Sequence, residues 1–142
     1  MNKKTLIKLN KVNKSHIRFL YELLKERDPR INISHKKMPT YENHVKFVLS
    51  KPYSKWYIIE YNGKKAGFIY LTKNAEIGIF IKKKFQRKKI GKNALETLMK
   101  KNSRTRYLAN VSPKNRTSIN FFKKNGFKLI QYTYELIPKI NS

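Results

Sequence analysis

The chain contains no cysteine. That excludes disulfides, cysteine nucleophiles and thiolate metal sites, and it leads to the expectation of a cytoplasmic protein. Carboxylates are scarce: eight, against 34 lysines and arginines, so each can be weighed singly. No apolar run reaches about 18 residues, which argues against a membrane-spanning helix. Met1-Asn2-Lys3-Lys4 leads into the alternating stretch Thr5 to Leu9. An apolar h-region and a small-residue cleavage site are both missing there, so no signal peptide is expected. Internal repeats and low-complexity linkers are absent too.

What is present reads as one folded domain over residues 1–142. Hydrophobic residues make up 39% of the chain and aromatics 13%, too apolar a mixture for disorder despite the charge. The net charge of +26 has two readings. One is a polyanionic partner, such as nucleic acid, an anionic membrane surface or a phosphate-bearing ligand. The other is composition alone. Of the basic residues 27 are lysine, beside 15 isoleucines and 14 asparagines, the residues that A/T-rich codons specify. The lysines are spread along the chain, except at Lys82-Lys83-Lys84 and Lys88-Lys89.

Periodicity lays out the elements. A first strand starts at Thr5. A helix opens at Asn13 or Lys14 and ends at Asp28-Pro29. Thr40 caps a second helix that stops at Lys51-Pro52. Trp56–Tyr61, Ala66–Thr72 and Ala75–Ile81 form an antiparallel meander, with Asn62-Gly63 as the hairpin signal. Gln86 to Gly91 is a polar loop before a helix from about Lys92 to Lys101. A strand over Arg106–Val111, a helix over Asn115–Lys124 closed by Gly126, and strands at Phe127–Ile130 and Tyr132–Ile137 complete the chain. The expected fold class is α+β: a three-layer α/β/α sandwich around a mostly antiparallel sheet, splayed open beside Ala75–Ile81.

The strand, loop and helix from Ala75 to Ala94 carry the chemistry. A helix start exposes unpaired N–H groups and positive dipole, which suits phosphate. Arg87, Lys88, Lys89 and Lys92 concentrate charge there. A capped helix with a solvated basic turn is the plainer alternative. Gln86-x-x-Lys89-x-Gly91 resembles the Gln/Arg-x-x-Gly-x-Gly/Ala signature of the GNAT superfamily of N-acyltransferases. Asn115-x-x-Ser118-Ile119-x-Phe121-Phe122-x-x-Asn125-Gly126-Phe127 resembles the same family's Asn-x-x-Ala-x-x-x-Tyr-x-x-x-Gly-Phe element. The element order agrees from Thr5 to Ile137.

The resemblance implies direct acetyl transfer from acetyl-CoA to an amine. It assigns the pyrophosphate to Gln86, Arg87, Lys88, Lys89, Ile90, Gly91 and Lys92, with Gly91 leaving room for its approach. It places pantetheine and thioester along Ile79, Phe80 and Ile81, and further donor contacts at Asn110, Asn115 and Phe122. Two positions depart from the family. Lys89 stands where the first glycine is usual, and a side chain there calls for a negative φ. Phe122 stands where many members have a tyrosine that protonates the leaving thiolate, and phenylalanine cannot do so.

The attacking amine must be neutral, which calls for a base. Glu76 is the one carboxylate inside an apolar strand pattern, on a face with Gly78 and Phe80; a solvent-facing or ion-paired role is the alternative. Asn115 reads equally as a helix N-cap, and Asn110 as a sheet-edge residue. Acceptor contacts are expected between the first two helices, at Arg30, Asn32 and His35 beside Ser34 and Lys36. Tyr57, with Tyr53 and Trp56, stacks on an acceptor or fills the core. Ser34-His35 and Met38-Pro39-Thr40-Tyr41 show a weaker resemblance to acetyltransferases of nucleotide-linked amino sugars. The acceptor is therefore expected to be a small amine, with a protein or ribosomal amine, or a basic nucleic-acid-binding protein without activity, as alternatives. No helix-turn-helix, zinc-ligand or aromatic-platform motif supports the last. Oligomeric state stays open, a homodimer included.

Overall fold

The computed structural model describes residues 7–27, 37–86 and 88–139. Four strands, β1 Ile7–Lys11, β2 Lys55–Tyr61, β3 Lys64–Leu71 and β4 Ile77–Ile81, form one sheet in chain order. Each neighbouring pair is antiparallel. The β2–β3 turn places Asn62 and Gly63 at φ 49 and 81, the left-handed pair that this hairpin requires. The next turn is stapled by Thr72, whose hydroxyl oxygen accepts from the N–H groups of Asn74 and Glu76.

Strand alternation sends two sets of side chains to opposite faces. On one face Ile58 and Phe68 meet Ile17, Leu20 and Leu23 of α1 (Ile17–Glu26) and Val48 of α2 (Tyr41–Leu49). On the other, Tyr57, Ile59, Ile69, Leu71 and Ile77 meet Ile90, Ala94, Leu95 and Leu98 of α3 (Ile90–Lys101) and Phe122 of α4 (Arg116–Lys124). The layers are therefore helix, sheet, helix. Thr40 caps α2 by accepting from Asn43 N–H, and Asn115 caps α4 by accepting from Ser118 N–H. Gly126, at φ 91, ends α4 as expected.

Three expected strands are not ladders. In 106–111 one parallel bridge joins Leu108 to Glu76. Ile77 N–H donates to Leu108 C=O at 2.7 Å, and Leu108 N–H to Ala75 C=O at 2.8 Å. Beyond that bridge the two segments share no backbone bond among the described residues, so the sheet opens as a wedge beside β4. Residues 127–130 and 132–137 form no strand either. Phe127 still packs on Phe122, at 5.0 Å between rings, but the side chains after it lie in solvent. Helix α3 also starts two residues earlier than expected, at Ile90. Among the described residues, no helix is long and apolar enough to cross a membrane.

Candidate active site

Hydrogen-bond alternation fixes which backbone groups face the wedge. Thr72 N–H donates to Glu76 C=O, and Lys82 N–H to Ala66 C=O. Gly78 and Phe80, in step with these, turn their amides toward β3. Ile77, Ile79 and Ile81 turn theirs outward. Ile77 spends its N–H on Leu108, which leaves the edge of Ile79 and Ile81 facing the opening. The amides at the opening are thus those of Ile79 and Ile81, whereas the Phe80 amide faces β3. The Ile81 carbonyl accepts from Gln86 Nε2 at 3.0 Å, so Gln86 ties the loop to the strand.

Glu76 lies where the wedge begins. Its carboxylate accepts from Thr72 Oγ1 at 3.1 Å and from Asn110 Nδ2 at 2.8 Å. Two donors from separate segments orient a half-buried carboxylate without a cation pairing with it among the described residues. That arrangement suits a proton acceptor.

The same face continues across Gly78 to Phe80. The Tyr70 ring lies over Gly78, in the space a side chain there would take. Tyr53 stacks flat on Tyr70, 3.7 Å between centroids and 1° between planes. Burial raises the pKa of both phenols, while nearby Arg27 pulls each back down. Burial lowers the pKa of Arg27 itself, and the two phenols raise it. The Arg27 guanidinium also sits over the Phe80 ring at 5.7 Å. A cation thus stands among the aromatic rings of Tyr53, Tyr70 and Phe80.

The start of α3 is built differently from those of α2 and α4. Its N-cap is Lys89, at φ 59 and ψ 15, with no side-chain cap. The first helical bond runs from Asn93 N–H to Lys89 C=O at 3.1 Å, so Ile90, Gly91 and Lys92 present N–H groups without an intrahelical acceptor. Lys88, Lys89 and Lys92 surround them, exposed. Such a helix start is suited to a pyrophosphate. Lys89 takes the left-handed conformation that a glycine would take there, contrary to the negative φ expected, at a cost of roughly 1–2 kcal/mol.

Several expected site residues have other places. A Cβ on Gly91 would sit 2.9 Å from the Phe121 ring, so α3–α4 packing also favours glycine here. Phe122 is buried against Phe121 and Phe127 and fills the core. Ile90 is buried as well, so only its N–H is available. Tyr57 lies on the α3 face, and its hydroxyl accepts from Asn102 Nδ2 at 3.2 Å. It is a core residue, one of the two places expected for it. Asn115 engages its side-chain oxygen in the α4 cap. Arg30, Asn32, His35 and Arg87 lie outside the described residues. Sequence reasoning missed Arg27, Thr72 and the role of Tyr70. The signal for Tyr70 was the short turn between β3 and β4, whose register sets Tyr70 opposite Gly78.

A search of curated proteins found no match. Among solved structures, the chain is similar to RimL, the ribosomal L7/L12 α-N-protein acetyltransferase in complex with coenzyme A, at 21% identity and TM-score 0.72, covering 91% of this chain and 83% of that one. It is similar to the aminoglycoside N-acetyltransferase AAC(6')-Iy in complex with CoA, at 16% identity and TM-score 0.68, covering 99% of each. It is also similar to the microcin C7 self-immunity acetyltransferase MccE in complex with acetyl-CoA and AMP, at 17% identity and TM-score 0.67, covering 88% and 79%. The model of the acetyltransferase (GNAT) family matches residues 17–127. Wedge, open helix start and matched region agree, and the chain belongs to the acetyltransferase (GNAT) family, enzymes that take their acyl group from acetyl-CoA.

Proposed function

We propose that this enzyme acetylates a small primary amine carried on an anionic scaffold, of which a nucleotide-linked amino sugar is the leading example. The observation that carries the reading is Glu76, held by Thr72 and Asn110 where the wedge opens, with the half-buried Arg27 on the same face. The donor fits the residues present. Free N–H groups of Ile90 to Lys92, with Lys88, Lys89 and Lys92 around them, suit its phosphates. The outward edge of Ile79 and Ile81 suits its pantetheine arm as an added strand would. When bound, acetyl-CoA supplies the activated acyl group.

The rest falls to side chains and amides of this chain. Glu76 takes the proton of the attacking amine. An amide of Ile79 or Ile81 faces the carbonyl oxygen as it gains charge. The phenol of Tyr70, its pKa raised by burial, stays protonated at neutral pH. It lies over Gly78 beside the wedge, which suits it to protonate the departing sulfur in place of the side chain that Phe122 cannot supply. Arg27 is suited to hold an anionic part of the acceptor against the aromatic wall. An acceptor screen of initial rates tests this, with nucleotide-linked amino sugars, polyamines and ribosomal-protein peptides in parallel. The highest kcat/KM is expected on an anionic amine. A polyamine or peptide as best acceptor overturns the reading.

A further inference from the structure

Glu26 stands where its own helix gives a carboxylate no support. It is the last residue of α1, at the end where the helix dipole is negative and disfavours an anion. The chain has only eight acidic residues, which makes composition a poor explanation for one here. Among the described residues, no lysine or arginine lies within ion-pair distance of it. Its partner is 57 residues away: Glu26 Oε1 accepts from the backbone N–H of Lys83 at 3.1 Å.

Lys83 opens the single 3-10 turn Lys83–Phe85 that follows β4. Lys82, the residue before it, provides no side-chain cap. Glu26 thus supplies from another element what an N-cap supplies locally. The turn leads straight into the donor loop. Gln86 N–H donates to Lys83 C=O at 3.1 Å, and Gln86 Nε2 to Ile81 C=O at 3.0 Å. Phe85 is buried against Tyr61, 6.0 Å between rings. The course of the chain from 82 to 86 is therefore set by Glu26 at its start and by Phe85 and Gln86 at its end.

The residue after Glu26 is Arg27, over the Phe80 ring at 5.7 Å and beside the phenols of Tyr53 and Tyr70. Two consecutive residues at the end of α1 hold different parts of the molecule. Glu26 holds the entry to the donor loop, and Arg27 holds the aromatic wall. That wall continues to Trp56, whose ring lies 4.9 Å from that of Tyr53.

We propose that Glu26 is a positioning residue of the transfer. Its bond to Lys83 locks the end of α1 to the turn before the donor loop. Donor loop and Arg27 wall then keep a fixed relation, and a ligand at one is felt at the other. That the wall holds the acceptor rests on the function proposed above; the link between loop and wall does not.

Coenzyme A alone is the probe, read by calorimetry and by the emission of Trp56, the one tryptophan of the chain. Glu26→Ala deletes the acceptor of the bond, and Glu26→Gln keeps an oxygen in its place. Lys83→Pro deletes the donor from the other side. Proline is tolerated at the first position of a helical turn, and Lys82, at φ −56 and ψ 139, already has a conformation that suits a following proline. Lys83→Ala keeps the N–H and controls for the lost charge.

In the native chain, coenzyme A is expected to shift the emission of Trp56. Glu26→Ala and Lys83→Pro should each weaken coenzyme A by about two- to tenfold, the net worth of one hydrogen bond. Both should lose the Trp56 response at saturating coenzyme A, and the double variant should be no weaker than either alone. Glu26→Gln and Lys83→Ala should keep the native response. A merely structural role would lower the melting temperature and leave that response intact in the folded protein. A Trp56 response that survives Glu26→Ala overturns the proposal. So does a native chain without one, additive losses in the double variant, or a Glu26→Gln that behaves as Glu26→Ala. The acceptor screen succeeds or fails independently, because no acceptor is present here.

Discussion

Asn110 donates to Glu76 at 2.8 Å, joining the two walls of the wedge two residues past their last shared backbone bond. The carboxylate is therefore fixed relative to both walls, not to β4 alone.

Glu76→Gln should keep acetyl-CoA affinity and lower turnover by about a hundred- to ten-thousand-fold at neutral pH. The loss should shrink at high pH, where the amine deprotonates unaided. Near-native turnover at neutral pH would remove Glu76 from the mechanism. Asn110→Ala, which frees the carboxylate without deleting it, should cost less than Glu76→Gln in the same assay.

Tyr70→Phe removes the hydroxyl over Gly78 and keeps the ring that Tyr53 stacks on. Turnover should fall with little change in melting temperature. Phe122→Tyr should not restore it, because position 122 is enclosed in the core. Equal rates for Tyr70→Phe and the native enzyme would assign the proton to water.

Gly91→Ala should destabilise the fold by about 1–3 kcal/mol, the usual cost of overpacking. Phe121→Leu in the same chain should recover part of that, since the collision is with the Phe121 ring. Urea midpoints of the single and double variants measure it. Equal midpoints for both would show that the contact yields freely.

His16 gives the fold a pH dependence. Its Nδ1 accepts from Asn13 N–H at 3.0 Å, which requires the neutral ring. Burial lowers its pKa below 6.5, and Lys65 lowers it further, against a smaller opposing effect of Glu60. The unfolded chain therefore binds this proton more readily. Stability from this group is complete above about pH 6.5 and is lost as pH falls through the lower folded value. His16→Asn should flatten the urea midpoint between neutral pH and pH 5. An unchanged slope would exclude His16 as the source.

Features set by local chemistry were legible in the sequence. Thr40, Asn62-Gly63, Asn115 and Gly126 each act as their residue types predict, and the meander follows from the short turns. Properties that depend on neighbours distant in sequence were not. Tyr57 and Trp56 are adjacent aromatics, yet strand alternation sends one to the α3 face and the other toward α1 and α2. Gly91 fits a phosphate signature, but the atom that forbids a side chain there belongs to Phe121. Arg27 follows a helix as an ordinary solvated cation would, and only the tertiary fold encloses it among rings. The alternation at 127–137 forms no strand, because a pattern does not specify which edge supplies hydrogen bonds.

The lack of a side-chain cap on α3 has a thermodynamic consequence. The ends of α2 and α4 are completed by their own Thr40 and Asn115, whereas the first turn of α3 is left for a ligand to complete. Donor binding and the integrity of that turn then become linked equilibria: any anion that accepts from Ile90, Gly91 and Lys92 slows fraying at that end and raises the melting temperature with its concentration. An anion at that turn would supply the acceptors that the chain itself does not.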